Sequence, residues 1–143
     1  MSVLDKLATT LNRRDEVPNQ ELALRIVDAG DTSAVKELVV HLGHKDKNIQ
    51  SDCIKVLYEI GERRPELISK YCKEFGKLLD SKNNRLVWGA MTALDTIATE
   101  EPKGVYGLLA GILSIADAGS VITKDHAVGI LIKLALVKQY ADD

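Results

Sequence analysis

The stretch Asn84-Arg-Leu-Val-Trp-Gly-Ala-Met-Thr-Ala-Leu-Asp-Thr-Ile-Ala-Thr99 predicts an amphipathic helix, because its apolar residues recur three and four positions apart. Its inward pattern is Leu86, Ala90, Ala93, Leu94 and Ile97. The same pattern occurs 37 residues earlier, at Ile49, Cys53, Val56, Leu57 and Ile60, and 37 residues later, at Thr123, Ala127, Ile130, Leu131 and Leu134. Only Thr123 is not apolar. A fixed period of this length is characteristic of stacked helical repeats.

The helix before each of these also repeats. Its inward residues are Tyr71, Cys72, Phe75 and Leu79 in one copy and Leu108, Leu109, Ile112 and Ala116 in the next. Pro65 and Pro102 are likewise 37 residues apart, at the junctions between helix pairs. Asn83 and Ser120 are expected to cap the second helix of their pairs. The sequence therefore predicts one domain over 1–143 with repeats of approximately 1–30, 31–64, 65–101 and 102–140.

The N-terminal part fits this scheme as a shorter first pair. A helix is predicted from Ser2 to Leu11, with Asp5 completing a capping-box-like pair at its start. A second helix begins near Pro18 and ends at Gly30. The third helix begins at Thr32 or Ser33, and the fourth runs from about Ile49 to Arg64. No segment alternates apolar and polar residues with period two, so a β-sheet is not expected.

Composition indicates an ordinary soluble domain, with 45% apolar and 28% charged residues and a net charge of −2. Only 4% of the residues are aromatic, which disfavours the stacking platforms of single-strand nucleic-acid binding. Cys53 and Cys72 fall on inward helix faces and are predicted to be buried thiols. The sequence shows neither a signal peptide nor an apolar run long enough to cross a bilayer, so we expect a cytoplasmic protein that does not bind membranes.

The segment Leu86–Ile97 resembles the second helix of a HEAT repeat, an armadillo-like helical repeat. That helix follows an Asp-containing turn and has a hydrophobic residue, a small residue, a leucine and an isoleucine at fixed spacing. Ile49–Ile60 and Thr123–Leu134 fit the same pattern, although only the last copy, at Lys124, keeps the basic residue usual after the first position. The resemblance implies an all-α fold, a right-handed α-solenoid of about four antiparallel helix pairs. Most such proteins are scaffolds that bind other proteins.

Residues that carry chemistry are sparse, so we predict no enzyme, no cofactor and no metal. His41 and His44 are three residues apart with Asp46 nearby, but they lie at a helix end and have no third ligand by spacing. Glycines 104, 107 and 111 share one helix face, where close backbone approach to a neighbouring helix is expected. The three histidines and the few candidate serines are predicted to lie in turns, without the base and orienting group that a nucleophile needs.

The face of each second helix opposite the inward pattern is unusually apolar. It carries Ser51, Lys55, Tyr58 and Glu62, then Trp88, Thr92, Asp95 and Thr99, then Asp125, Gly129, Ile132 and Leu136. In HEAT-like stacks these helices line the concave side, so the three rows should form one surface. The predicted binding residues are Trp88, Tyr58, Lys55, Thr92, Asp95, Ile132 and Leu136. The opposing interpretation is that Trp88 folds over a neighbouring repeat and that the C-terminus covers the other apolar residues.

Two functions fit this surface. The first is a non-enzymatic scaffold or adaptor that binds a partner protein or peptide, with Tyr58 and Trp88 flanking one inserted side chain and Trp88 as the central anchor. Ile132 and Leu136 would extend its apolar floor or join two copies of the chain through the C-terminal helix. The alternative is a DNA-binding module like the HEAT-like glycosylases that recognise alkylated bases, since Arg85, Trp88 and Asp95 match their residue types. Net acidity and few aromatics make nucleic acid the less favoured partner.

Overall fold

A computed structural model of the protein describes residues 3–11, 17–118 and 121–137, and this part of the chain contains eight α-helices and no β-strand. A 3-10 helix over Val3–Lys6 comes first. The α-helices are α1 Val17–Ala29, α2 Thr32–Val40, α3 Lys47–Arg63, α4 Cys72–Lys77, α5 Asn84–Ile97, α6 Pro102–Gly107, α7 Leu109–Ala118 and α8 Val121–Ala135. None of the helices in the described ranges is both long and apolar enough to cross a membrane.

The helices form two rows. Helices α1, α3, α5 and α8 pack directly on one another in that order and form the inner row. The outer row consists of the N-terminal 3-10 segment, α2, α4 and the α6–α7 pair, whose members contact one another only sparsely. A stack with one closely packed row and one splayed row curves toward the packed row. The inner row therefore lines the concave side, as expected for the second helices of an α-solenoid.

Helix ends follow the local sequence. Asp31 and Asp46 are the N-caps of α2 and α3, because their carboxylates accept hydrogen bonds from the N–H groups of Ala34 (3.0 Å) and Asn48 (2.9 Å). Gly30 follows α1 with a φ of 61°, in the left-handed region that glycine adopts without a steric penalty. Helix α1 therefore ends where the sequence predicts, and α2 begins at the predicted Thr32.

The repeated inward pattern forms the core. All of its described members except one are buried: Ile49, Cys53, Val56, Leu57 and Ile60 in α3, Leu86, Ala90, Ala93, Leu94 and Ile97 in α5, and Ala127, Ile130 and Leu134 in α8. The exception is Leu131, which was predicted to face inward but is 40% exposed. Cys53 and Cys72 are buried free thiols, as predicted. Burial raises the pKa of Cys53 to about 12 and that of Cys72 to about 11.

The first helices of the pairs differ from the prediction because they are interrupted. The segment after Pro65 is a series of 3-10 turns at Pro65–Leu67, Ser69–Tyr71 and Leu78–Asp80 around the short α4. The corresponding segment breaks between α6 and α7 at Leu108, next to Gly107, and glycine lowers helix stability by about 1 kcal/mol relative to alanine. A β-carbon added at Gly107 or Gly111 would have no neighbouring atom within 4 Å, so the predicted close helix approach is wrong there. At Gly104 the approach is real, since an added β-carbon would lie 3.0 Å from the Cys72 sulfur.

Other helix starts also differ. The N-terminal segment is helical only over Val3–Lys6, and Ser2 and Ser120 lie outside the described residues. Asn83 is at the N-cap position of α5, but its side chain forms no capping bond. Instead its amide nitrogen donates to Gln50 Oε1 at 3.2 Å, and Gln50 Nε2 in turn donates to the carbonyl of His44 at 2.6 Å. Amide hydrogen bonds thus join successive turns at Gln50, where HEAT repeats usually have a basic residue.

Candidate functional site

The candidate site is the concave face, which we define as the solvent side of α3, α5 and α8. The structure places all seven predicted binding residues on these three helices or directly after them. Their environments differ: Trp88, Ile132 and Leu136 are exposed, Lys55, Tyr58 and Asp95 are half-buried, and Thr92 is buried. Thr92 was predicted to be accessible to a partner, but neighbouring groups on α5 and α8 already occupy its hydroxyl.

On α3 the concave face carries a charge cluster around Glu59. The carboxylate of Glu59 accepts hydrogen bonds from Lys55 Nζ (2.9 Å) and Arg63 Nη1 (3.0 Å), each one helical turn away. Burial alone would raise the pKa of Glu59, but these two cations hold it below its ordinary value. Lys55 Nζ also lies 4.8 Å from the centroid of the Tyr58 ring, a cation–π distance. One face of Tyr58 is therefore already occupied by a cation of the same helix.

A second polar cluster joins α5 to α8, and we call it the polar bridge: Thr92, Asp95, His126 and Lys133. Asp95 Oδ2 lies 2.8 Å from His126 Nδ1, and Asp95 Oδ1 accepts a 2.8 Å hydrogen bond from Lys133 Nζ. Lys133 Nζ also donates to the main-chain carbonyl of Asp95 at 2.6 Å. The other ring nitrogen of His126, Nε2, is 3.0 Å from Thr92 Oγ1. Burial raises the pKa of Asp95, but the bonds from His126 and Lys133 outweigh it and lower the pKa overall.

Glycine makes the polar bridge possible. A β-carbon at Gly129 on α8 would lie 2.9 Å from both carboxylate oxygens of Asp95, so only glycine leaves room for this carboxylate between the two helices. A similar close approach occurs between α3 and α5, where a β-carbon at Gly89 would lie 2.6 Å from Ile54 Cγ2. The inner row is thus held together by close contacts at glycine positions as well as by its apolar core.

The polar bridge contains a hydroxyl, an imidazole and a carboxylate in series, which is the order of groups in a hydrolytic triad. Sequence reasoning missed it, because it placed all histidines in turns, whereas His126 lies within α8. The hydroxyl-bearing side chain of Thr92 is 9% exposed, and its Oγ1 donates its proton to the carbonyl of Trp88 at 2.9 Å. A nucleophile needs an accessible oxygen whose proton passes to the base. The arrangement of these groups therefore supports a structural role.

Trp88 differs from the other large residues of the concave face. Its side chain is 36% exposed, and its indole N–H forms no hydrogen bond within the described part of the chain. Asn83 contacts Gln50 and Gly89 meets Ile54, so α3 and α5 run parallel, and Trp88 lies level with about Cys53, more than one turn before Tyr58. On the α8 side, Ile132 is 57% and Leu136 82% exposed. The concave face thus combines two charge clusters paired within the chain with one partly exposed indole and two exposed aliphatic side chains.

His41 and His44, which lie outside this face, are not arranged as a metal site. The rings of His41 and His44 are 5.8 Å apart, and His44 Nδ1 accepts a hydrogen bond from the N–H of Asp46 at 2.9 Å. That nitrogen lone pair is therefore used within the turn. Over the described ranges no group of three or more potential metal ligands converges.

Sequence reasoning missed Glu59, His126 and Lys133, which complete both clusters. Each lies next to an inward position, where the residues 37 apart differ in type: Glu59 and Lys133 correspond to Thr96, and His126 corresponds to Asp52 and Gly89. A local signal was available for Glu59, since Lys55 and Arg63 are four residues before and after it. No such local signal exists for His126, because its partners Thr92 and Asp95 are more than thirty positions away in the chain.

Comparison with known proteins identifies the architecture. No protein-family model matches the chain, and no curated protein does. Among solved structures, two engineered proteins superimpose with a TM-score of 0.64 each: one at 24% identity, covering 99% of this chain and 69% of that one, the other at 22%, covering 94% and 63%. A designed armadillo repeat protein in complex with the peptide (KR)4 has a TM-score of 0.62 at 20% identity, covering 83% of this chain and 57% of that one.

This chain therefore spans between 57% and 69% of the length of these three structures. At these identities the likeness concerns the fold. Together with the two-row stack and the 37-residue period, it shows that the chain has an armadillo/HEAT-like helical-repeat fold, an all-α right-handed α-solenoid.

Proposed function

We propose that this protein is a non-enzymatic scaffold or adaptor that binds a partner protein or peptide through its concave face, with Trp88 as the central anchor. The observation that carries the proposal is the partly exposed indole of Trp88, which offers an apolar surface and an N–H that makes no hydrogen bond to the described residues. Tryptophan contributes disproportionately to binding free energy when a partner covers it. Ile132 and Leu136 are exposed on the α8 side of the same face, and we propose them as its apolar flank.

The charges of the concave face indicate what kind of segment it binds. The designed armadillo protein that resembles this chain is in complex with the basic peptide (KR)4. Here the acids Glu59 and Asp95 each already bind two cationic or proton-donating side chains of the same chain. A basic peptide would have to displace those groups at Glu59 and Asp95, which leaves it only the exposed acids Glu62 and Asp125 of this face. We infer that the partner segment supplies an apolar or aromatic side chain and a carbonyl oxygen that accepts from the Trp88 indole.

Selection from a displayed library of random peptides tests the proposal. Peptides that bind the wild-type protein should bind Trp88→Ala about 30-fold or more weakly, because loss of such an anchor costs roughly 2–4 kcal/mol. Val40→Ala is the matched control, since Val40 is 64% exposed but lies at the end of α2 in the outer row. It should leave the affinity unchanged. Circular dichroism must show both variants to be folded.

Two results would contradict the proposal. Selected peptides that bind Trp88→Ala as tightly as wild type would place the binding site elsewhere. Preferential enrichment of lysine- and arginine-rich peptides, with affinity that falls steeply as salt rises, would show that exposed acids dominate binding. In that case Trp88 would not be the anchor.

A further inference from the structure

The polar bridge contains more hydrogen-bonding contacts than a neutral histidine can satisfy. Three contacts follow one another: Asp95 Oδ2 to His126 Nδ1 at 2.8 Å, His126 Nε2 to Thr92 Oγ1 at 3.0 Å, and Thr92 Oγ1 to the carbonyl oxygen of Trp88 at 2.9 Å. Each contact requires one proton between its two heavy atoms. The threonine hydroxyl has one proton and a neutral imidazole has one, so together they supply only two.

The two ends of this series cannot supply the third proton. The carbonyl oxygen of Trp88 only accepts hydrogen bonds. Asp95 is held as a carboxylate, because its other oxygen accepts a 2.8 Å hydrogen bond from the ammonium group of Lys133. The third proton must therefore be on His126. A ring that donates from both nitrogens is the imidazolium cation, so the complete bridge requires the charged form of this histidine.

The surroundings of His126 determine how strongly this cation is favoured. Asp95 on α5 lies directly against the ring, and Glu62 on α3 interacts with it through charge. Lys133, about two turns farther along α8, binds the same carboxylate and opposes the charge of the ring. Helix α7, which also packs against α8, has one titratable residue, Asp117, near its C-terminal end. The charged residues directly before the ring on α8 are exposed: Lys124 and Asp125.

We propose that the polar bridge is a pH-sensitive link between α5 and α8, complete only while both ring nitrogens of His126 are protonated. When the ring loses one proton, two protons remain for three contacts. Either the Thr92 hydroxyl turns toward Nε2 and leaves the Trp88 carbonyl, or one contact of the ring is lost. In both cases Asp95 no longer faces a cationic ring, and Lys133 is its one remaining cationic partner within the bridge. The side chain of His126 is 27% exposed, so its proton can exchange with solvent.

Loss of the ring proton should weaken the folded state. Because folding favours the protonated ring, the stability that the bridge contributes is present at the acidic end of the histidine range and is lost as the pH rises. Urea titrations from about pH 5 to about pH 8 cover this range. Relative to His126→Gln, wild type should lose about tenfold in its folding equilibrium constant as the pH rises, the contribution expected of a hydrogen bond between charged groups.

His41→Gln is the matched control, because it removes a histidine at the end of α2, outside the bridge. Its stability should follow the same pH profile as wild type. In an Asp95→Asn background, His126→Gln should no longer change the profile, since the carboxylate that favours the cation is absent. Parallel profiles for wild type and His126→Gln would overturn the proposal, as would a loss of the pH dependence in His41→Gln.

Nitrogen-15 NMR of the histidine rings tests the proton count without any substitution. His44 is an internal reference, because its Nδ1 accepts a hydrogen bond from the N–H of Asp46 at 2.9 Å and therefore carries no proton in this structure. Under conditions where Nδ1 of His44 is unprotonated, both ring nitrogens of His126 should still carry protons. A folded protein in which His126 has only one ring proton under those conditions would overturn the proposal.

Discussion

Replacement of Gly89 by alanine should destabilise the protein, although alanine is the better helix former. A β-carbon at this position on α5 would lie 2.6 Å from Cγ2 and 2.7 Å from Cγ1 of Ile54, where about 3.5–4.0 Å is needed. Ile54 is 1% exposed and its γ-carbons are fixed close to its backbone, so α3 and α5 must separate. Overpacking of this kind costs about 1–3 kcal/mol. The higher helix propensity of alanine offsets about 0.5–1 kcal/mol of this destabilisation.

Gly111→Ala is the matched control, because nothing lies within 4 Å of the position of its added carbon on α7. It should stabilise by about 0.5–1 kcal/mol, so the two variants should differ by about 1–3 kcal/mol. Urea titrations followed by circular dichroism would show this difference as a shift in midpoint at constant slope. In an Ile54→Ala background, Gly89→Ala should destabilise less, since the two closest carbons are gone and only the Cβ of residue 54, at 3.2 Å, remains close. Equal stabilisation by Gly89→Ala and Gly111→Ala would refute the close helix contact.

Three further predictions concern the core, the polar bridge and nucleic acid. Leu57→Ala and Leu94→Ala should each lower the free energy of unfolding by about 2–5 kcal/mol in thermal or urea titrations, because both side chains are fully buried. Asp95→Asn should lower it by about 1.5–3 kcal/mol at neutral pH and flatten its decline in acid, whereas Asp125→Asn, at an exposed position, should change little. Fluorescence anisotropy with intact or alkylated duplex DNA should detect no binding at physiological salt; micromolar affinity that falls with salt and with Arg85→Ala would favour the nucleic-acid alternative.

The acid dependence of the polar bridge has a defined sign. Burial opposes ionisation of Asp95, but the bonds from His126 and Lys133 outweigh it and lower the pKa of the folded state. Ionised Asp95 therefore adds stability that is fully present above its unfolded pKa of about 3.9 and is lost as the pH falls through the folded value. An unfolding free energy for Asp95→Asn that declines in acid as steeply as that of wild type would contradict this assignment.

Much of the fold follows from the sequence because one apolar pattern repeats without insertions. Leu57 and Leu94 are 37 residues apart and are each buried by the next helix pair, so an assignment made for one repeat also predicts burial in the following one. The prediction is wrong for Leu131, and the reason is physical. It belongs to the same column, but within the described residues no further pair lies beyond α8 to cover it.

Less of the site was predictable. Exposure of Trp88 follows from its place opposite the inward pattern, and the structure agrees. The burial of Thr92 could not be predicted, because it depends on contact with His126 of α8. These residues are 34 positions apart, and the apolar period does not predict which polar side chains pair. Asn19 is a similar case: its amide accepts from the N–H of Ala8 at 3.0 Å and donates to Asp52 at 2.9 Å, joining three segments through one buried side chain.

Binding at the concave face can be measured through Trp88 itself, since the chain contains one tryptophan. A library-selected peptide should shift the tryptophan emission to shorter wavelength and reduce its quenching by acrylamide, because the proposal requires the partner to cover the exposed indole. Calorimetry on the same samples would confirm that binding has reached saturation. Emission and quenching that remain unchanged at saturation would show that the peptide binds away from Trp88 and would contradict the proposed function.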